Sequence, residues 1–120
     1  MAKYILIVNQ TNEPMETYVD LFTCDTLTKR DYALISELFD LKTDCYDFIV
    51  IVGDYLEELK EQAEVLMKAG SPKVRKELAE KLTWEYKVQA DSYETFESAM
   101  YDLGYLDNDY IHDFYANHKD

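Results

Sequence analysis

The chain has 120 residues and a formal net charge of −13 at pH 7, with 25 Asp and Glu against 12 Lys and Arg. This length fits one domain over residues 1–120, and such a chain buries roughly two-thirds of its unfolded surface. A hydrophobic content of 48% argues against a disordered acidic tail. The charge repels nucleic acid phosphate and anionic membranes, so we expect a basic partner protein.

The first third of the chain has the pattern of two strands followed by a helix. The apolar run Lys3–Val8 predicts a buried strand, and Glu16–Cys24 predicts a second strand antiparallel to it. Thr28 and Asp31 have the spacing of a capping-box variant, which predicts that a helix starts here. The core-facing stripe predicted for this helix consists of Tyr32, Ile35, Leu38 and Phe39.

The middle third begins with a continuous apolar run. Phe48–Val52 predicts a central strand buried on both faces. Asp54 follows as the predicted N-cap of a helix over Tyr55–Ala69, and Ser71 begins another helix. Trp84–Ala90 alternates apolar and polar residues, which fits a fourth strand, although an extension of the preceding helix fits as well.

The last third predicts two short helices. Asp91 and Glu94 have capping-box spacing, with Ser92 as the alternative N-cap, and the helix that follows ends at Gly104.

Asp107 or Asn108 caps the final helix. The predicted fold is therefore α+β, a small mixed or antiparallel sheet of three to four strands packed with four to five helices. Cys24 and Cys45 lack CxxC spacing, which favours two reduced, mostly buried thiols, although a disulfide between them stays open.

Charge and tyrosine are concentrated together near the end of the sequence. The segment Val88–His118, called the acidic stretch below, contains seven acids, five tyrosines and no Lys or Arg. Tyrosine is enriched at protein contacts because it is both apolar and polar. This combination favours a surface that docks onto a basic protein groove.

A second row of acids lies on the predicted Tyr55–Ala69 helix. Glu57, Glu58 and Glu61 fall on its solvent side. Carboxylates four residues apart on a helix are about 6 Å apart along its axis, close to the phosphate spacing of one nucleic acid strand. For this helix alone, an ordinary solvated face is the favoured explanation, and a row that imitates a phosphate backbone is the alternative.

Catalysis and metal binding have little support in the sequence. Phosphate loops, zinc motifs and nucleophile elbows are all missing, and only Asp54, after a buried strand, occupies a position typical of α/β active sites. The segment from Asp107 to Asp109 begins like a calcium loop, but its sixth and twelfth positions hold His112 and His118 instead of Gly and Glu. We therefore assign no catalytic residue, cofactor or metal ion.

In size, charge and aromatic content the whole chain resembles the acidic DNA mimics of phages and plasmids, which include antirestriction and anti-CRISPR proteins. The resemblance involves no specific motif. It implies a protein that occupies the positively charged DNA channel of a CRISPR nuclease or restriction enzyme and excludes the true substrate. The implied phosphate imitators are Asp91, Glu94, Glu97, Asp102, Asp107, Asp109 and Asp113, with Glu57, Glu58 and Glu61 as a second candidate surface. The implied contact anchors are Tyr101, Tyr105 and Tyr110, although Tyr110 and Tyr115 are the tyrosines most expected in the core.

Two other interpretations stay open. The chain is alternatively a small cytosolic adaptor, acidic only for solubility, or a small enzyme that uses Asp54. It carries no recognisable targeting segment and no apolar run of membrane-spanning length, so we expect it in the cytoplasm of a bacterial host cell, with no direct contact to nucleic acid or membrane. Whether it forms a homodimer stays open.

Overall fold

The computed structural model describes residues 2–10, 17–41, 47–59, 61–62 and 91–119, and within them helices pack on both faces of one mixed sheet. The described strands are β1 (Lys3–Gln10), β2 (Thr17–Cys24), β3 (Asp47–Gly53) and β4 (Asp91–Tyr93). The described helices are α1 (Lys29–Leu41), α2 (helical residues 56–59 and 61–62), α3 (Phe96–Leu103) and α4 (Asn108–Asn117). The fold class is α+β.

The strand order across the sheet is β3-β1-β2-β4. β1 is antiparallel to both β2 and β3, whereas β4 is parallel to β2. The antiparallel pairing of the first two strands confirms the sequence prediction. The parallel β4 makes the sheet mixed.

β1 is a central strand, and four consecutive residues of it, Ile5 to Val8, are buried. Side chains alternate between the faces of a strand, so such a run requires cover on both faces. Ile5 and Ile7 belong to the core shared with α1, α3 and α4, whereas Leu6 and Val8 pack in a smaller core with Leu59 of α2.

The larger core holds α1, α3 and α4 on one face of the sheet. Each fully buried large apolar side chain contributes about 1.5–3 kcal/mol from burial. The fully buried large side chains that the three helices contribute to it are Leu34, Leu38, Phe96, Met100 and Ile111.

The start of α1 confirms the predicted capping box. The backbone N–H of Thr28 donates to Oδ2 of Asp31 at 2.8 Å, and the backbone N–H of Asp31 donates to Oγ1 of Thr28 at 3.4 Å. The predicted stripe of this helix is wrong at Tyr32, whose side chain is 47% exposed. The core-facing positions of α1 begin instead at Asp31 and continue with Leu34, Ile35 and Leu38. The first buried position of the helix is thus held by a carboxylate, which a search for apolar residues does not find.

Phe48–Val52 lies in β3, which is not the central strand among the four that the structure describes. β3 lies at one end of the described strand order and pairs with β1. Both of its faces are nevertheless packed, since Phe48 contacts the larger core and Ile51 the smaller one. The run is apolar because helices cover both faces of the sheet at β3, and this pattern does not fix the position of a strand within a sheet.

The predicted helix caps at Asp91 and Ser92 are wrong, because both residues belong to β4. The N-cap of α3 is Thr95, whose Oγ1 accepts the backbone N–H of Ser98 at 3.1 Å. Strand pairing with β2 holds the preceding residues extended, which moves the helix start downstream.

The predicted end of α3 at Gly104 is confirmed. Its φ of 74° is in the left-handed region, and its N–H donates to the carbonyl of Met100. Asp107 is the N-cap of α4, as predicted, but its side chain makes no capping hydrogen bond.

Cys24 is a free, buried thiol. The predictions for Cys45, for the helices after residue 62 and for Trp84–Ala90 lie outside the described residues.

Candidate partner-binding surface

The acids of the acidic stretch lie on β4, on α3 and α4, and in the turns between them. α3 and α4 contact each other and pack on the same face of the sheet. Six of the seven acids are exposed and Glu97 is half-buried. By position, Asp91 is on β4, Glu94 in the following bend, Glu97 and Asp102 on α3, Asp107 at the N-cap of α4, and Asp109 and Asp113 on α4. We call these seven residues the α3–α4 acidic surface.

Among the described residues, no ion pair involves an acid of this surface. The ion pair that these residues contain joins Lys3 to Asp54, which are both outside the surface. Asp109 lies in the first turn of α4, where the partial positive charge of the helix N-terminus stabilises a carboxylate. Glu97 in the first turn of α3 and Asp107 at the N-cap of α4 gain the same stabilisation, whereas Asp102 and Asp113 lie further along their helices. The exposed carboxylates make this part of the described surface negative.

Tyrosine hydroxyls, rather than cations, satisfy several carboxylates next to this surface. Each donor and acceptor come from different elements or turns, so the bonds tie the structure together. The four pairs are Tyr115 to Asp31 at 2.6 Å, Tyr93 to Asp102 at 2.5 Å, Tyr110 to Glu37 at 3.1 Å, and Tyr105 to Asp20. Sequence reasoning missed Asp20, Glu37 and Tyr93, because the partners of Asp20 and Glu37 are 85 and 73 residues away.

The hydroxyls of Tyr93, Tyr110 and Tyr115 remain neutral donors at physiological pH. Burial raises the pKa of Tyr93, Tyr110 and Tyr115, and the carboxylate that accepts each hydrogen bond raises it further. A phenol that keeps its proton can donate to a carboxylate without cancelling the charge of that carboxylate. The tyrosines therefore hold acids in place and leave the surface negative.

The three expected anchor tyrosines differ in their environment. Tyr101 is 37% exposed on α3, and burial together with nearby Glu97 raises its pKa. Tyr105 and Tyr110 are half-buried, pack against the larger core and donate their hydroxyls to carboxylates. Tyr101 is thus the anchor candidate with the most accessible ring.

Tyr115 shows how this fold holds a guanidinium group. It is buried, as expected for one of the core tyrosines. The guanidinium carbon of Arg30 lies 5.1 Å from the centroid of the Tyr115 ring. Nη1 of Arg30 also donates to the Tyr115 carbonyl at 3.4 Å, while the Tyr115 hydroxyl donates to Asp31. Aromatic ring, carboxylate and guanidinium form one unit.

An open depression lies at the start of α4. It is lined by Leu106, Asp107, Asn108, Asp109 and Tyr110. Two acids of the α3–α4 acidic surface and one expected anchor thus share one concave feature. We call it the α4 depression.

The second candidate surface lies on the other face of the sheet. Glu57, Glu58 and Glu61 are exposed on α2, and Leu59 of the same helix packs in the smaller core. One oxygen of Glu58 accepts the backbone N–H of Asp54 at 3.2 Å. The fold therefore does not bring this row together with the α3–α4 acidic surface.

Asp54, the residue of the enzyme interpretation, is paired with a cation. Its carboxylate accepts a hydrogen bond from the ammonium group of Lys3, and this bond raises the pKa of Lys3. Helical residues begin at 56, so the predicted cap at Asp54 is too early in the chain. The ion pair joins the start of β1 to the turn after β3.

Among the residues that the structure describes, no group of three or more His, Cys, Asp or Glu side chains is arranged to hold a metal ion. The helices in the same residues include none with the length and apolar character of a membrane span.

No protein-family model, curated protein or solved structure matches the chain.

Proposed function

We propose that this chain is an acidic inhibitor that binds the positively charged nucleic-acid-binding groove of a nuclease, such as a CRISPR effector or a restriction enzyme. It blocks DNA binding by placing carboxylates where phosphates bind, and it acts in the bacterial cytoplasm without catalytic residues or a cofactor of its own. The observation that carries the proposal is the exposed α3–α4 acidic surface, which has no ion pair within the described residues.

The like charges of the α3–α4 acidic surface oppose folding of the free protein. Uncompensated carboxylates on neighbouring elements repel one another and oppose compact folding. Asp109 and Asp113 face solvent one helical turn apart, about 6 Å along the axis. A basic groove that normally holds phosphates relieves this repulsion on binding, and the long-range attraction speeds the encounter.

The direct test is a cleavage assay with a panel of purified CRISPR nucleases and restriction enzymes. The chain is added in increasing amounts to each enzyme before its DNA substrate. We expect inhibition of at least one enzyme, an excess of DNA that restores cleavage, and binding that weakens steeply with added salt.

Two double variants locate the surface with a matched change of charge. Asp109→Lys with Asp113→Lys alters an exposed pair four residues apart on α4, and Glu57→Lys with Glu61→Lys alters the equivalent pair on α2. We expect the α4 pair to abolish inhibition and the α2 pair to retain it. The opposite pattern would assign the mimicry to α2, and failure of the wild-type chain to inhibit any enzyme whose DNA groove is basic would contradict the proposal.

The adaptor interpretation has one observation in its favour. Tyr32 and Tyr55 are 47% and 57% exposed, and they are the most exposed large hydrophobic side chains in the described residues. An adaptor that used these rings would bind its partner in a salt-resistant manner and would lose binding in a Tyr32→Ala and Tyr55→Ala double variant. Mimicry predicts that this variant still inhibits cleavage.

A further inference from the structure

We propose that Tyr93 is a positioning residue of the α3–α4 acidic surface, where it holds the carboxylate of Asp102 in place for a cationic side chain of the partner. The inference rests on the proposed function, because it names the carboxylate that a basic groove meets in a fixed orientation. Tyr93 is not one of the three expected anchor tyrosines, and its role is to act through Asp102.

A short hydrogen bond joins the two side chains. The hydroxyl of Tyr93 on β4 donates to Oδ2 of Asp102 on α3 at 2.5 Å, so the bond links the strand to the helix. Among the four phenol–carboxylate pairs given above, this is the pair whose carboxylate belongs to the α3–α4 acidic surface. Asp102 is exposed, so the carboxylate that Tyr93 holds is accessible to a partner.

The core fixes the donor of this bond. The Tyr93 ring is half-buried and packs against the larger core. It meets the ring of the buried Phe22 edge to face, with 5.7 Å between the ring centroids. The backbone carbonyl of Tyr93 also accepts the N–H of Asp25 at 3.1 Å. Because ring and backbone are both held, the hydroxyl is a fixed donor to Asp102.

The phenol orients the carboxylate without neutralising it. Burial raises the pKa of Tyr93, and the hydrogen bond to Asp102 and the charges of Asp102, Asp91 and Asp20 raise it further. The hydroxyl therefore stays protonated and uncharged at neutral pH. An ionised carboxylate has about four lone-pair sites, and the hydroxyl uses one of them. Asp102 thus keeps its charge and further sites for the N–H groups of a cation.

The place of Asp102 on its helix also favours a cation. Asp102 lies in the last turn of α3, and that turn contains no basic residue. The C-terminal end of a helix carries the equivalent of about half a negative charge, which disfavours a carboxylate and favours a cation. Glu97, Asp107 and Asp109 lie instead at the N-terminal ends of their helices. A cationic side chain at Asp102 therefore interacts favourably with the carboxylate and with the end of the helix.

Tyr93→Phe tests the positioning, because it keeps the ring and removes only the hydroxyl. Asp102 then keeps its charge but loses the bond that selects its rotamer. Ordering a side chain at an interface costs free energy, so a carboxylate that is already oriented binds more tightly. For a nuclease that the wild-type chain inhibits, we expect the concentration for half-inhibition to rise about twofold to fivefold.

A double-mutant cycle with Asp102→Ala separates positioning from any other role of Tyr93. Asp102→Ala should weaken inhibition more than Tyr93→Phe does, because it removes the contact itself. In the Asp102→Ala background, Tyr93→Phe should have no further effect, since no carboxylate is left to orient. The control Thr95→Ala removes the N-cap at the other end of α3 and leaves the bond to Asp102 intact, so it should inhibit like the wild-type chain.

NMR measures the orientation of Asp102 without any nuclease. The Hα–Hβ couplings of Asp102 should be those of one χ1 rotamer in the wild-type chain and averaged in Tyr93→Phe. Averaged couplings in the wild-type chain would overturn the proposal. So would inhibition that Tyr93→Phe leaves unchanged, or that it weakens equally with and without the Asp102 carboxylate.

The two measurements also separate this proposal from the proposed function. A wild-type chain that inhibits no enzyme refutes the proposed function, and the couplings still decide whether Tyr93 fixes Asp102. Inhibition that does not depend on the Tyr93 hydroxyl refutes the positioning role alone.

Discussion

The hydroxyl of Tyr115 lies 2.6 Å from Oδ1 of Asp31 and joins the last helix to the first turn of α1. The other oxygen of the same carboxylate accepts the backbone N–H of Thr28 at 2.8 Å. One buried carboxylate, 5% exposed, therefore caps α1 and anchors α4 at the same time. A change at either end of this bond affects the packing of both helices.

Tyr115→Phe tests the strength of that anchor. It removes the hydroxyl and leaves one oxygen of the buried Asp31 without its donor. An unsatisfied buried acceptor costs about 1–3 kcal/mol. Urea unfolding at pH 7 should show a loss of this size in the free energy of unfolding.

Tyr101→Phe is the matched control for that measurement. The Tyr101 ring is 37% exposed, and no hydrogen bond of its hydroxyl is found in the described parts of the chain. Its loss should change the free energy of unfolding by less than about 0.5 kcal/mol. Equal effects of the two substitutions would mean that the bond to Asp31 contributes nothing specific.

The two N-caps of the last helices should respond differently to alanine. Oγ1 of Thr95 accepts the backbone N–H of Ser98, so Thr95→Ala should cost about 1 kcal/mol of folding stability. The side chain of Asp107 makes no such bond, and Asp107→Ala should cost clearly less. Thermal unfolding followed by circular dichroism ranks the two variants, and a larger loss for Asp107→Ala would contradict the capping geometry.

The thiol of Cys24 should be unreactive in the folded protein. It is fully buried, and burial, followed by the nearby charges of Asp31 and Asp25, raises its pKa to about 12. Only the thiolate attacks alkylating reagents, and its population at neutral pH is negligible here. In a Cys45→Ser background, iodoacetamide should label Cys24 in urea but not in buffer, as read by mass spectrometry. Rapid labelling in buffer would show that the core opens around β2.

Local signals in the sequence were enough to predict much of the fold. The apolar run of β1 and the capping box at Thr28 and Asp31 depend on residues close in sequence, so spacing reveals them. The end of α3 at Gly104 follows from the same kind of signal. Each of these features is complete within a few residues of chain.

Features that depend on distant partners were missed. Asp91 and Ser92 have a plausible capping pattern, but pairing with β2, about 70 residues earlier in the chain, holds them in a strand. The bond between Tyr110 and Glu37 joins residues 73 apart, and no local spacing announces it. Local spacing therefore does not reveal Asp20 and Glu37, the distant carboxylates that accept the hydroxyls of Tyr105 and Tyr110.

Folding stability should decline at alkaline pH. The pKa of Cys24 rises from 9.0 to about 12 on folding because of burial, so the unfolded chain releases this proton at lower pH than the folded chain. Burial also raises the pKa of Tyr115, with the same sign. The folded state then binds more protons, so the stabilisation is complete below the unfolded pKa values and is lost as pH rises above about 9 for the thiol and about 10 for the phenol. Each group contributes up to about 1.4 kcal/mol per pH unit in this window.

Urea unfolding at steps between pH 8 and pH 11 measures this decline. The free energy of unfolding of the wild-type chain should fall steadily above pH 9. Cys24→Ala should reduce the slope between pH 9 and pH 11, and Tyr115→Phe should reduce it above pH 10, because each removes one group whose pKa differs between the two states. A wild-type slope that neither substitution changes would show that other groups control the alkaline transition.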